Sequence, residues 1–100
     1  MLDFSFCPVE FSSTAQKEIK NIYFNKNIPS EYGLRIGVEG GGCSAVNYII
    51  GFDQPTEHDK IYLLEGIKVL IAQKHQMYLF GIRIEYHSNE TMQGFEFMKT

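Results

Sequence analysis

The chain has no tryptophan, only two cysteines and only three prolines in one hundred residues. Two cysteines cannot build a disulfide framework, so a small staple-dependent secreted fold is excluded. Basic charge is also scarce: nine Lys and Arg stand against twelve Asp and Glu, a net charge of −3. A nucleic-acid partner wants a basic face, and this balance offers none overall. No apolar run approaches the ~20 residues that cross a bilayer. The start, Met1 to Pro8, carries Asp3 and no basic n-region, so a signal peptide is not expected. Cytoplasmic residence and a reducing compartment follow as expectations. Thiols there are more often ligands or nucleophiles than disulfide partners.

What remains is ordinary globular material: 44% hydrophobic and 21% charged residues, with eight Phe and six Tyr to fill a core. At this length one domain over 1–100 is expected. No repeat, linker or low-complexity stretch interrupts it. Ser13-Thr14-Ala15-Gln16 fits a capping box, with Ser13 as the cap. Ala15, Ile19, Ile22 and Tyr23 then recur at helical spacing, and Asn25 to Pro29 ends the helix. Leu34, Ile36 and Val38 alternate as a strand, and Val46, Tyr48, Ile50 and Phe52 as a second. Ile61 to Leu64 and Ile67 to Ile71 flank Glu65-Gly66, a connection suited to a tight hairpin. A short helix is expected within 72–79, then strands at Ile82 to Tyr86 and Gly94 to Phe97. One long N-terminal helix, one short helix and mixed or antiparallel β-rich sheets make an α+β fold. Arg35, Lys68 and Arg83 read as solvent-facing strand positions. Lys17, Glu18 and Lys20 read as a solvated helix face.

The stretch richest in chemistry is Gly37-Val38-Glu39-Gly40-Gly41-Gly42-Cys43-Ser44-Ala45-Val46-Asn47-Tyr48. Glycines before Cys43 let the backbone reach positive φ and let other atoms come close. A thiolate there meets a metal or an electrophile unobstructed. From the loop alone, a tight strand connection with a small core cysteine stands ahead of ligation. Cys7, among Phe4, Phe6, Val9 and Phe11, reads as core packing. His58, His75 and His87 could each ligate a metal, but none has a ligand-type partner at helical spacing, and surface histidine is the default. Glu39 could ligate iron and reads more simply as a solvated strand-edge carboxylate.

The glycine–cysteine loop and the preceding Tyr32 to Val38 resemble the signature of A-type iron–sulfur assembly proteins, the HesB/IscA-like family. The likeness runs over roughly residues 10–98. Gly66 to Ile71 resembles the family's Gly-Val-Lys-Val-Val-Val strand. Tyr78-Leu79-Phe80-Gly81 resembles its Leu-Asp-Gly turn, and Gly94-Phe95-Glu96-Phe97 its Gly-Phe-Lys-Phe strand. The resemblance implies the HesB-like fold and iron or an iron–sulfur cluster bound through Cys43. It also implies a homodimer that shares the site, and assembly or client proteins as partners. Ala45 replaces the family glycine after Cys-Ser. The family's Cys-Gly-Cys does not follow Phe97, which implies a short form. Two further readings stand beside the carrier: a HesB-like interaction module that no longer binds a cluster, and a cysteine-dependent enzyme. The last has no other catalytic signature, and no enzyme activity is expected.

Overall fold

The computed structural model describes residues 7–40, 47–89, 91 and 93–99. Strand β1 (Val9–Phe11) leads into helix α1 (Ser13–Asn25). Strands β2 (Gly33–Glu39), β3 (Asn47–Asp53), β4 (Asp59–Leu64) and β5 (Ile67–Ala72) follow. A 3-10 turn at Gln73–His75 runs into the short helix α2 (Gln76–Leu79), and β6 (Ile82–Ser88) and β7 (Gln93–Lys99) complete the order. The four-stranded sheet has the order β3-β2-β5-β4, and the three-stranded sheet β1-β6-β7. Both are mixed: β2 runs parallel to β5 and β1 parallel to β6, while the hairpins are antiparallel. The α+β expectation holds, with strand β1 added ahead of the helix.

The helix begins one residue earlier than the capping box implied. Ser12 is the N-cap, its hydroxyl accepting from the Ala15 N–H at 3.1 Å. The Ser12 N–H already donates to the Ile84 carbonyl at 2.9 Å, so Gln16 has no capping donor to satisfy. Its Nε2 donates to the Phe11 carbonyl instead, at 3.3 Å. The helix ends at Asn25, where the sequence placed its end. The Glu65-Gly66 connection is the tight hairpin expected: both residues lie at positive φ, as a type I′ turn requires.

Period-two alternation sends Leu34 and Ile36 of β2 and Val69 and Ile71 of β5 into one core. They meet Ala15 and Ile19 of α1 and Ile82 and Ile84 of β6 there. Tyr48 of β3 stacks on Phe97 of β7 with ring centroids 4.9 Å apart and planes within 7°, joining the two sheets. The opposite face of the four-stranded sheet is built differently. Arg35 is not simply solvent-facing there. Its Nε donates to Asp53 at 2.7 Å, and Nη1 and Nη2 grip both oxygens of Asp59 at 2.7 Å. Nη2 also reaches the Gln54 carbonyl at 3.1 Å. The Asp59 side chain is 1% exposed and that of Arg35 20%, so this bidentate pair is half-buried, with the carboxylate on the inner side. Asp59 accepts further from the Thr56 N–H, and Asp53 from the Gln54 N–H. Hydrogen bonds from Arg35 lead the causes that hold both carboxyls below their ordinary 3.8.

Five substitutions read out this architecture. A Cβ at Gly33 would lie 2.8 Å from Leu70 Cγ and 3.0 Å from the Lys68 carbonyl, whereas one at Gly51 meets nothing. Urea unfolding of Gly33→Ala is expected to show a loss of about 1–3 kcal/mol from overpacking, and Gly51→Ala a change within about 0.5 kcal/mol. Ser12→Ala costs about 1 kcal/mol as a lost N-cap, while Ser13→Ala is near neutral. Arg35→Met strands the buried Asp59 and costs about 3 kcal/mol at pH 7. Carboxyls with depressed folded pKa values stabilise fully above their unfolded value and cease to do so as pH falls through the folded one. The stability gap between wild type and Arg35→Met is therefore flat from pH 6 to 8 and closes below about pH 4. A gap that persists at acid pH would contradict the charge assignment.

Candidate functional site

The cysteine loop is positioned by the β2–β3 hairpin. Its strands pair from Gly33 with Asp53 at one end to Glu39 with Asn47 at the other. The connection carrying Cys43 spans those last two register partners. Cys43 and Ala45, with the rest of 41–46, lie outside the described residues. Both ends of the hairpin are held. The Arg35 cluster ties Asp53 and the following 54–59 segment to β2. Toward the loop, Val38 pairs with Tyr48, and Tyr48 is clamped by Phe97.

On the second face of β2, a bare position opens room for a ring. A Cβ on Gly37 would sit 2.8 Å from His75 Nδ1, so the His75 imidazole lies directly against this strand. Alternation puts Glu39 on the same face, one position nearer the loop, and Glu39 is exposed. Partial burial, then the charges of Lys74 and Arg35, push the His75 pKa down. Its ring is neutral at pH 7 and keeps a nitrogen lone pair. In the sequence His75 is one of three scattered histidines. The available signal was Gly37, a residue without a side chain in the middle of an alternating strand.

The remaining candidates stay apart. Cys7 is half-buried against the core, and burial raises its thiol pKa, which suits packing more than ligation. His58 is exposed beside Glu57 at 3.6 Å. His87 Nε2 bonds Glu96 Oε1 at 2.6 Å on the three-stranded sheet. Among the described residues, no group of three or more His, Cys, Asp or Glu is placed to hold a metal ion. Among the described residues, no helix is long and apolar enough to cross a membrane. The described residues thus place an imidazole and, two residues nearer the loop, a carboxylate on one face of β2.

No family model matches the chain. Individual proteins do. It is 37% identical over 67 residues to an uncharacterized Synechocystis protein, spanning 64% of this chain and 57% of that one. It is 35% identical over 75 residues to the iron-binding protein IscA of an Enterobacter species, covering 74% of this chain and 70% of that relative. Among solved structures, Escherichia coli SufA, involved in biosynthesis of iron–sulfur clusters, superposes with a TM-score of 0.76 at 20% identity. That match spans 97% of this chain and 84% of SufA. A crystal structure of IscA with a [2Fe–2S] cluster gives 0.69 at 23% identity, over 91% and 81% of the two chains. At those identities the structures speak for the fold, and the fold agrees with the sequence likeness to IscA. The chain belongs to the HesB/IscA-like family of iron–sulfur assembly proteins.

Proposed function

We propose that this protein receives iron or an iron–sulfur cluster as cargo, holds it through Cys43, and passes it on. The observation that carries the reading is the Gly40-Gly41-Gly42-Cys43-Ser44 run at the β2–β3 connection. It lies in a chain 35% identical to a relative named for iron binding. Iron–sulfur clusters prefer thiolates and usually take four. One Cys43 per chain supplies one, so the cargo sits between two copies, where an isologous contact brings the two Cys43 thiolates together. Glutathione or a client protein's cysteines complete the set. Glu39 at the loop end of β2 and His75 beside Gly37 offer oxygen and nitrogen donors for positions left open. A site shared in this way is open and labile, which suits transfer more than storage.

In this reading residues 1–100 act as one domain in the cytoplasm. The partners are a second copy and iron–sulfur assembly or client proteins. Neither a membrane nor a nucleic acid is involved, and no bond-making chemistry is assigned to the protein.

Anaerobic reconstitution with iron and sulfide tests the proposal. Wild type is expected to develop visible sulfur-to-iron absorption and to move to a dimer on size exclusion. Cys43→Ser is expected to do neither while keeping its far-ultraviolet dichroism. Identical, featureless spectra for the two proteins would sink the carrier reading.

A further inference from the structure

A cavity of about 330 Å³ lies between the C-terminal half of α1 and the four-stranded sheet and has no part in the carrier reading. Its floor and walls are Ile19, Tyr23, Leu34, Phe52 and Ile67. Tyr23 packs tilted against Phe52 at 5.9 Å and edge-on to Phe24 at 6.1 Å, forming an aromatic wall. Phe24 is 76% exposed at the rim, an unusual position for a phenyl ring. Gly66 leaves the Lys20 side of the cavity open, since a Cβ there would stand 3.8 Å from Lys20 Nζ. Its volume falls at the small end of the range typical of ligand sites, which are mostly apolar with a few placed polar groups.

The polar groups here share one sign. Lys20 and Lys68 both line the cavity, and no carboxylate does. Lys68 Nζ is steadied by the Glu31 carbonyl at 3.1 Å and the Ser30 carbonyl at 3.5 Å, which uses two of its three donors. Lys20 Nζ lies near the Gly66 turn, 3.8 Å from where a Cβ would stand. Two ammonium groups at an apolar mouth, in a chain of net charge −3, select against amines and favour an anion with an apolar tail. We propose that this cavity binds a small amphiphilic carboxylate, its chain against the Tyr23–Phe52 wall and its head between Lys20 and Lys68. The site lies at the Gly33 end of β2. The cysteine loop leaves the Glu39 end, about 20 Å away at the rise of an extended strand. It is therefore independent of the carrier reading.

Octanoate is the probe, followed by amide chemical shifts of the full chain. Saturable one-site binding is expected, with shifts concentrated at Tyr23, Tyr32, Phe52 and Ile67, and no saturable shifts with octylamine at the same concentrations. Lys20 is exposed, so Lys20→Gln keeps the fold and weakens octanoate about fivefold, the worth of one exposed ion pair. Lys68→Gln gives a second loss of similar size. Cys43→Ser binds octanoate like wild type. Equal affinity for octylamine, no saturation by octanoate, or unchanged affinity in Lys20→Gln would each overturn the proposal. Loss of octanoate binding in Cys43→Ser would overturn its independence from the loop.

Discussion

The fork of Arg35 is the interaction on which the four-stranded sheet depends. One guanidinium on β2 holds the end of β3, the start of β4 and the carbonyl between them. Without it, the 54–58 connection would leave a carboxylate buried with no cation beside it. Taking such charges from water is costly, and only good geometry with further hydrogen bonds offsets that cost. Here the geometry is bidentate, the Gln54 N–H fills the second Asp53 oxygen, and the Thr56 N–H adds a second donor to Asp59 Oδ2. The result fixes the register of β2 against β3 at the base of the hairpin. Register is what decides where the far end of that hairpin, and hence the cysteine connection, emerges.

Much of this architecture could be read from residue patterns. The helix from Ala15 to Tyr23, the Glu65-Gly66 turn and the alternation of Leu34, Ile36 and Val38 are local signals, and local signals survive without knowledge of the fold. The errors came where a residue answers to something distant in sequence. Ser12 displaced Ser13 as the cap because Ile84, on β6, bonds its N–H. Arg35 looked like a solvent-facing strand residue because its partners Asp53 and Asp59 become neighbours only once the strand order is known. His75 gained meaning only when its ring was found against Gly37. Cys43 was legible as a family residue from its glycines and from the likeness of the surrounding chain. Its geometry falls outside the described residues.

The two faces of the four-stranded sheet divide the labour. One is aliphatic, packed against α1 and the second sheet, and supplies the bulk of the stability. The other carries the ionic fork, the glycine-exposed backbone and the His75 ring, and it leads to the loop. Glu39 and the His75 ring both lie on this second face, away from the aliphatic core.

The parallel pairs carry a consequence of another kind. The hairpins β2–β3, β4–β5 and β6–β7 close over short stretches of chain. Strand β1 instead matches Val9 to Ile82, and β2 matches Leu34 to Val69. Loop-closure entropy must be met before such distant matches return any stabilisation. The rate of folding is thus governed by the joining of ready-made hairpins rather than by the hairpins themselves. On a ribosome, the first strand waits for its partner until β6 has been synthesised.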